Sequence, residues 1–283
     1  MSVVFVHGGV AGVAKPQRVS LAAGVERGVA RERALDAVEA AVIALEDDPR
    51  LNAGYGAVLN LAGEVELDAG ISDGLTGRAG GVGNVAVRHP ISLARKVLEE
   101  TPHVLVTGAG AVALGEGMDP VEIAADELRR WEEARGEGRL DVTRFGDPDE
   151  VDTVGAVALG DGGDLAAASS TGGVFGKMPG RMGDSAIFGA GHYASSAAAV
   201  VGTGVGEMFL ETLACARAGM LIEAGAHPQE ACASVVRLLL GRARLPAGLL
   251  ALDRAGRHGA AFTGGSWDVE GPEGPVEAER VDG

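Results

Sequence analysis

Val154-Gly155-Ala156-Val157-Ala158-Leu159 is an uncharged run too short for a helix, and it has the length and composition of a strand buried on both faces. Gly160-Asp161-Gly162-Gly163 follows and supplies the positive φ that a chain reversal needs. Residues 164–170 then give a second strand. Antiparallel pairing about that turn sets Leu159 against Leu165 and Thr153 against Thr171, with Cβ atoms about 5 Å apart. Facing threonines are common in sheets, so the pair by itself carries no chemistry.

A chain of 283 residues can bury a substantial core. It contains one linker-like stretch, so a single intertwined domain over 1–283 is expected. The net charge of -16 excludes nucleic acid and anionic membranes as partners, because both need basic patches. A small-molecule substrate is the default. No basic-plus-apolar leader precedes Val3 and no apolar span reaches about 18 residues, which predicts a soluble cytoplasmic protein. Cys215 and Cys232 lie in helical patterns without metal spacing and read as buried thiols. The 46 glycines exceed the usual share of about 7 per cent and sit in tight turns between apolar runs.

Along the chain, Val3-Val4-Phe5-Val6-His7 reads as a strand, with Gly8-Gly9 turning the backbone closely past whatever His7 faces. Ala34, Ala37, Val38, Ala41 and Leu45 mark one helical face, ending before Asp47-Asp48-Pro49. Residues 52–56 are loop by composition, and 57–60 with 64–67 read as a hairpin. Residues 121–128 read as a helix. The charged stretch 132–150, running into Asp152-Thr153, reads as a flexible linker. Phe209, Leu213, Ala216 and Met220 mark a helical face after the glycine-rich 202–207 segment, and a further helix over 221–240 breaks at Gly225-Ala226-His227-Pro228. Strands at 249–253 and 258–263 surround Ala255-Gly256, and the tail after Gly271 is expected to fray.

Two motifs mislead. Gly70-Ile71-Ser72-Asp73-Gly74 fits the nucleophile elbow, but the glycine-rich residues after it cannot supply the required helix. Gly108-Ala109-Gly110-Ala111-Val112-Ala113 fits a dinucleotide fingerprint, but no second strand with an acidic end follows. The six histidines lack metal-site spacing, and none adjoins a candidate serine, so no metal or cofactor is expected. A threonine at a new chain terminus brings its own base, since an α-amine titrates near 7.7–8.0. Cleavage between Asp152 and Thr153 would create one.

Thr171-Gly172-Gly173, the segment from Lys177 through Arg181 to Asp184-Ser185, Gly189-Ala190-Gly191 and Gly202-Thr203-Gly204-Val205-Gly206-Glu207 share an order. With Val6-His7-Gly8-Gly9, Leu51-Asn52-Ala53-Gly54-Tyr55-Gly56, Glu66-Leu67-Asp68-Ala69 and the 248–253 strand, they make the chain resemble the plant-type L-asparaginase and isoaspartyl peptidase family of Ntn hydrolases. That resemblance implies an α/β four-layer αββα sandwich, two stacked and mainly antiparallel sheets between helical layers. It also implies a precursor that cuts itself into 1–152 and 153–283 and pairs as a homodimer of cleaved units. The implied activity is hydrolysis of L-asparagine and β-aspartyl dipeptides to L-aspartate, with Thr153 as nucleophile positioned by Thr171. Thr203 and the Gly204 N–H would hold the oxyanion, and Asn52 the nucleophile's amino group. Arg181, Asp184, Gly204 and Gly206 would bind substrate, and backbone carbonyls before Asn52 would hold an alkali ion. Asp152 departs from the glycine common in the family and resembles glycosylasparaginase, the alternative. An uncut, silent binding protein is the third reading.

Overall fold

The computed structural model describes residues 1–11, 18–140 and 153–282. Strands β5 (Val154–Leu159) and β6 (Leu165–Thr171) pair antiparallel with Leu159 on Leu165 and Val154 on Ser170, the expected register. They sit inside an eight-stranded sheet with β1 (Val3–Ala11), β2 (Leu67–Asp73), β3 (Arg78–Val85), β4 (Leu105–Thr107), β11 (Ser266–Gly271) and β12 (Gly274–Pro275). A five-stranded sheet is built from β7 (His192–Ala194), β8 (Ala198–Gly204), β9 (Ala247–Asp253), β10 (His258–Thr263) and β13 (Glu279–Arg280).

The strands' two-residue alternation builds the layers. In β5, Val154, Ala156 and Ala158 enter the core beneath the helices α1 (Arg18–Val29), α2 (Ala34–Glu46) and α3 (Pro90–Glu100), while Val157 points the other way. In β8, Ala198 and Val200 pack on α7 (Ala214–Glu223) and α8 (Pro228–Arg242), whereas Ala199 and Val201 join Val157, Leu165 and Ala167 between the sheets. The result is the αββα sandwich. Thr153, Thr171 and Thr203 all share parity with the residues between the sheets, and each is buried.

Several local expectations are corrected. β1 does not stop at Gly8-Gly9. It continues through a bulge, where its register on β11 slips between His7 and Val10 and Gly9 takes φ 98. Residues 57–60 form no strand, because Asn60 Oδ1 accepts the Ala62 and Glu64 N–H groups and closes a side-chain-capped turn. The helix expected at 121–128 is α5 (Ala125–Gly136), so residues 132–136 are helical and not linker. Trp131 is buried there and donates Nε1–H to the Asn60 carbonyl. Asp152 and the rest of 141–152 lie outside the described residues.

The apolar face through Phe209, Leu213, Ala216 and Met220 does not hold. Leu213 adopts φ 51 and separates α6 (Gly206–Thr212) from α7, which turns Leu213 and Met220 outward and Cys215, Ala218 and Ile222 inward. The tail after Gly271 does not fray through Asp282: β12 pairs with β11, β13 pairs with β10, and Val281 is buried. Ser72 is buried within β2, so no elbow exists there. Gly108-Ala109-Gly110 opens α4 (Gly108–Leu114) on the edge strand β4. Among the described residues no helix is long and apolar enough to cross a membrane.

Candidate active site

Thr153 and Thr171 meet across the β5–β6 pair, the Thr153 hydroxyl donating to Thr171 Oγ1 at 3.3 Å. Thr171 Oγ1 also accepts the Gly173 N–H at 3.0 Å, which fixes the residue beyond the strand's end. Thr203 lies on β8 in the facing sheet, next to Gly204 and not itself on the cavity wall, and its Oγ1 accepts the Val10 N–H at 3.3 Å. A hydroxyl that accepts one bond keeps its own proton to donate. Next to it, Gly204 has φ 145, and a Cβ there would lie 2.7 Å from the Pro246 carbonyl oxygen and 2.9 Å from Ala247 Cα. Only glycine carries the backbone through that point.

Thr153, Thr171, Arg181, Asp184, Gly204 and Gly206 line one small cavity, together with Gly173 and Val174. Its charged end is built by the 177–184 loop. Asp68 anchors that loop, its Oδ2 accepting the Gly183 N–H at 2.8 Å and its Oδ1 the Asn84 N–H at 3.0 Å. Lys177, also buried, donates to the Glu66 carbonyl at 2.7 Å, and Glu66 itself accepts the Gly180 N–H. Burial pushes the Lys177 amine below its ordinary range, against the pull of Asp68. Asp184 is buried with Oδ2 lacking a hydrogen-bond partner among the described residues. Burial raises its pKa to about 7, with the Arg181 charge opposing the shift.

Arg181 and Asp184 are not a surface pair. The Arg181 side chain is 15% exposed and forms a two-pronged bond with Glu207, Nε to Oε1 at 3.0 Å and Nη2 to Oε2 at 2.9 Å. Glu207 lies in the first turn of α6, where a carboxylate suits the helix dipole. Sequence reading gave it no role, because 26 residues separate it from Arg181. Lys177 and Asp68 stood inside recognisable motifs, but nothing in their spacing showed that they meet.

Asn52 stands behind the cavity and not on its wall. Its Nδ2 donates to the Gly173 carbonyl at 2.7 Å and its Oδ1 accepts the Val58 N–H at 3.0 Å, while its carbonyl takes the Gly172 N–H. It braces the turn after Thr171. His7 lies against Gly155, where a Cβ would come within 2.4 Å of Nε2. Burial lowers the His7 pKa to about 3; the Thr153 backbone offsets this only in part, and neither ring nitrogen reaches a partner at hydrogen-bond geometry among the described residues. A pKa lowered that far makes the imidazole a weak proton acceptor at neutral pH.

Residues 7–267 match the asparaginase family. The chain belongs to that family. Similar proteins include an isoaspartyl peptidase/L-asparaginase of Homo sapiens, 40% identical over 278 residues, covering 92% of this chain and 90% of the relative. A plant-type L-asparaginase of Thermococcus kodakarensis is 41% identical over 263 residues, covering 84% and 85%. An isoaspartyl peptidase of Escherichia coli is 40% identical over 288 residues, covering 92% and 89%. As a member of the asparaginase family the chain is a hydrolase, so the silent binding protein falls away. Among the described residues no cluster of three or more His, Cys, Asp or Glu side chains is spaced to hold a metal.

Proposed function

We propose that this chain is a self-cleaving amidohydrolase whose Thr153, once N-terminal, hydrolyses L-asparagine and β-aspartyl dipeptides to L-aspartate. The observation that carries this reading is the Thr153–Thr171 hydroxyl pair at 3.3 Å in a cavity that also presents Arg181 and Asp184. The Thr153 α-amine takes the hydroxyl proton as Oγ1 forms a bond to the side-chain carbonyl carbon of substrate. The Thr203 hydroxyl and the Gly204 N–H hold the oxyanion. The leaving amine departs with the proton from the α-ammonium, and water then attacks the ester and frees aspartate. Arg181 receives the substrate's α-carboxylate and Asp184 its α-ammonium, with Gly206 giving both side chains room: a Cβ there would sit 2.8 Å from Asp184 Oδ1 and 2.9 Å from Arg181 Nη2.

The backbone carbonyl of Glu46 turns toward Gly54, and those of Pro49 and Leu51 toward Gly56, at distances that a Cβ would block. Such oxygen donors fit a hard alkali ion, which would stiffen the segment carrying Asn52. The exposed apolar side chains Val104, Leu105 and Val112 on and beside edge strand β4 support pairing of two units, which the molar mass in solution from sedimentation equilibrium checks. Asp152 keeps glycosylasparaginase as the second reading. Steady-state rates on asparagine, β-aspartyl-leucine and N-acetylglucosaminyl-asparagine separate the two. The proposal is overturned if the last is turned over best or if none is hydrolysed.

A further inference from the structure

We propose that Glu207 is a positioning residue for substrate recognition: it grips the side edge of the Arg181 guanidinium so that the end edge faces the substrate carboxylate. This rests on the reading of Arg181 as the carboxylate clamp. A guanidinium has five N–H donors and can meet carboxylates along more than one edge. Glu207 takes the Nε and Nη2 edge. Nη1 lies only 3.0 Å from where a Gly183 Cβ would be and 3.4 Å from that of Gly173, and Nη2 lies 2.9 Å from that of Gly206. Gly173 and Gly206 both line the cavity, so the end edge carrying Nη1 and the second Nη2 hydrogen borders it.

The alternative is that Glu207 occupies the seat of the substrate carboxylate and must leave before substrate binds. The geometry argues otherwise, because the carboxylate approaches from α6 on an edge separate from Nη1, and its side chain is 29% exposed while Asp184 is buried. Glu207 also keeps Arg181 from its other carboxylate neighbour. Among the described residues Arg181 and Asp184 form no ion pair within 4.0 Å, and Asp184 Oδ2 has no hydrogen-bond partner. With Glu207 removed, a guanidinium free to rotate would fall onto Asp184, closing the positive and negative halves of the site on each other. Discrimination for a zwitterionic aspartyl group would then fade from both ends.

The two roles predict opposite signs. Mature Glu207→Gln enzyme should lose about tenfold in kcat/KM on β-aspartyl-leucine, mostly through a raised KM. It should also compress the ratio of inhibition constants for L-aspartate and its α-carboxamide by a similar factor, because only the free carboxylate uses the oriented edge. A lowered KM, or an unchanged inhibitor ratio, overturns the positioning role. Glu207→Asp, with a shorter reach, should show the same loss in smaller degree and carries the test if Glu207→Gln does not mature. Arg181→Lys measured alongside separates the layers. If its inhibitor ratio matches native, the clamp itself is wrong. If Arg181→Lys loses the ratio and Glu207→Gln keeps it, the clamp stands and the role of Glu207 falls.

Discussion

At the scale of single residues, the proposed recognition rests on one cation and one carboxylate, Arg181 and Asp184, that line the same cavity. Lysine cannot reproduce the planar fork of Arg181. Arg181→Lys should therefore cost at least about tenfold in kcat/KM on β-aspartyl substrates, or about 1.4 kcal/mol, without blocking cleavage before Thr153. A native rate on asparagine would refute the clamp. Asp184 yields a second prediction, since burial raises its pKa from 3.8 to about 7, with Glu207 and Asp68 adding to the shift and Arg181 opposing it. The thiol of Cys215 is pushed well above its usual range and stays neutral beside it. The native state therefore binds a proton that the unfolded chain has released between these values, so this group's contribution to stability falls as pH rises from 3.8 to about 7. Asp184→Asn should abolish ammonium recognition and yet gain in Tm relative to native as pH is raised from 4 to 8. Parallel thermal melts across that range check the sign, and a gap that shrinks with pH would contradict it. Arg181 and Asp184 were legible in the Lys177–Asp184 motif. Glu207 was not, because a contact between a loop and a helix start leaves no periodic trace.

At the scale of elements, the sequence was most informative where local turn chemistry and burial agree. The Gly160-Asp161-Gly162-Gly163 reversal pins the register of β5 on β6, and that register delivers Thr153 to Thr171. It was least informative where a helical period was carried across a break. The pattern Phe209, Leu213, Ala216 and Met220 assumes one helix, whereas Leu213 stands at φ 51 between two and is about half exposed. A left-handed leucine costs about 1–2 kcal/mol, and its exposed side chain recovers little of it. Leu213→Gly should raise stability by about 0.5–1 kcal/mol after the entropy of the unfolded chain is subtracted. The midpoint of urea unfolding reads this directly, and a lowered midpoint would show that the leucine makes a contact worth more than the strain. The opposite case is Gly204, where an added Cβ meets backbone on both near sides. Gly204→Ala should displace the N–H proposed to hold the oxyanion and cost about 100-fold or more in kcat.

At the scale of the whole molecule, the sheet order would let the proposed cleavage leave the two parts held together. Reading across the large sheet, β12 and β11 come from the part after residue 152, β1 from the part before it, β5 and β6 from after, and β2, β3 and β4 from before. Cleavage before Thr153 would leave the two parts joined along three seams, β11 on β1, β1 on β5 and β6 on β2. Such interleaving is invisible to local patterning, because each seam joins residues far apart in sequence. The purified chain should mature without added protease into pieces of about 15 and 13 kDa by residue share. They should co-elute on native size exclusion and part only in denaturant. Asp152, whose own backbone carbonyl is the scissile one, carries a carboxylate that we propose takes the Thr153 hydroxyl proton during the N-to-O acyl shift. A positioned general base contributes about 100- to 10,000-fold. Asp152→Ala should slow maturation within that range, while protein already cut should turn over at the native rate, because the residue at 152 then ends the other piece and no longer adjoins the nucleophile by a bond. Intact mass followed over days measures the first effect and steady-state kinetics on the matured fraction the second. Full activity in an uncut 28.5 kDa chain would end the N-terminal nucleophile altogether, and unchanged maturation in Asp152→Ala would move the base to another group.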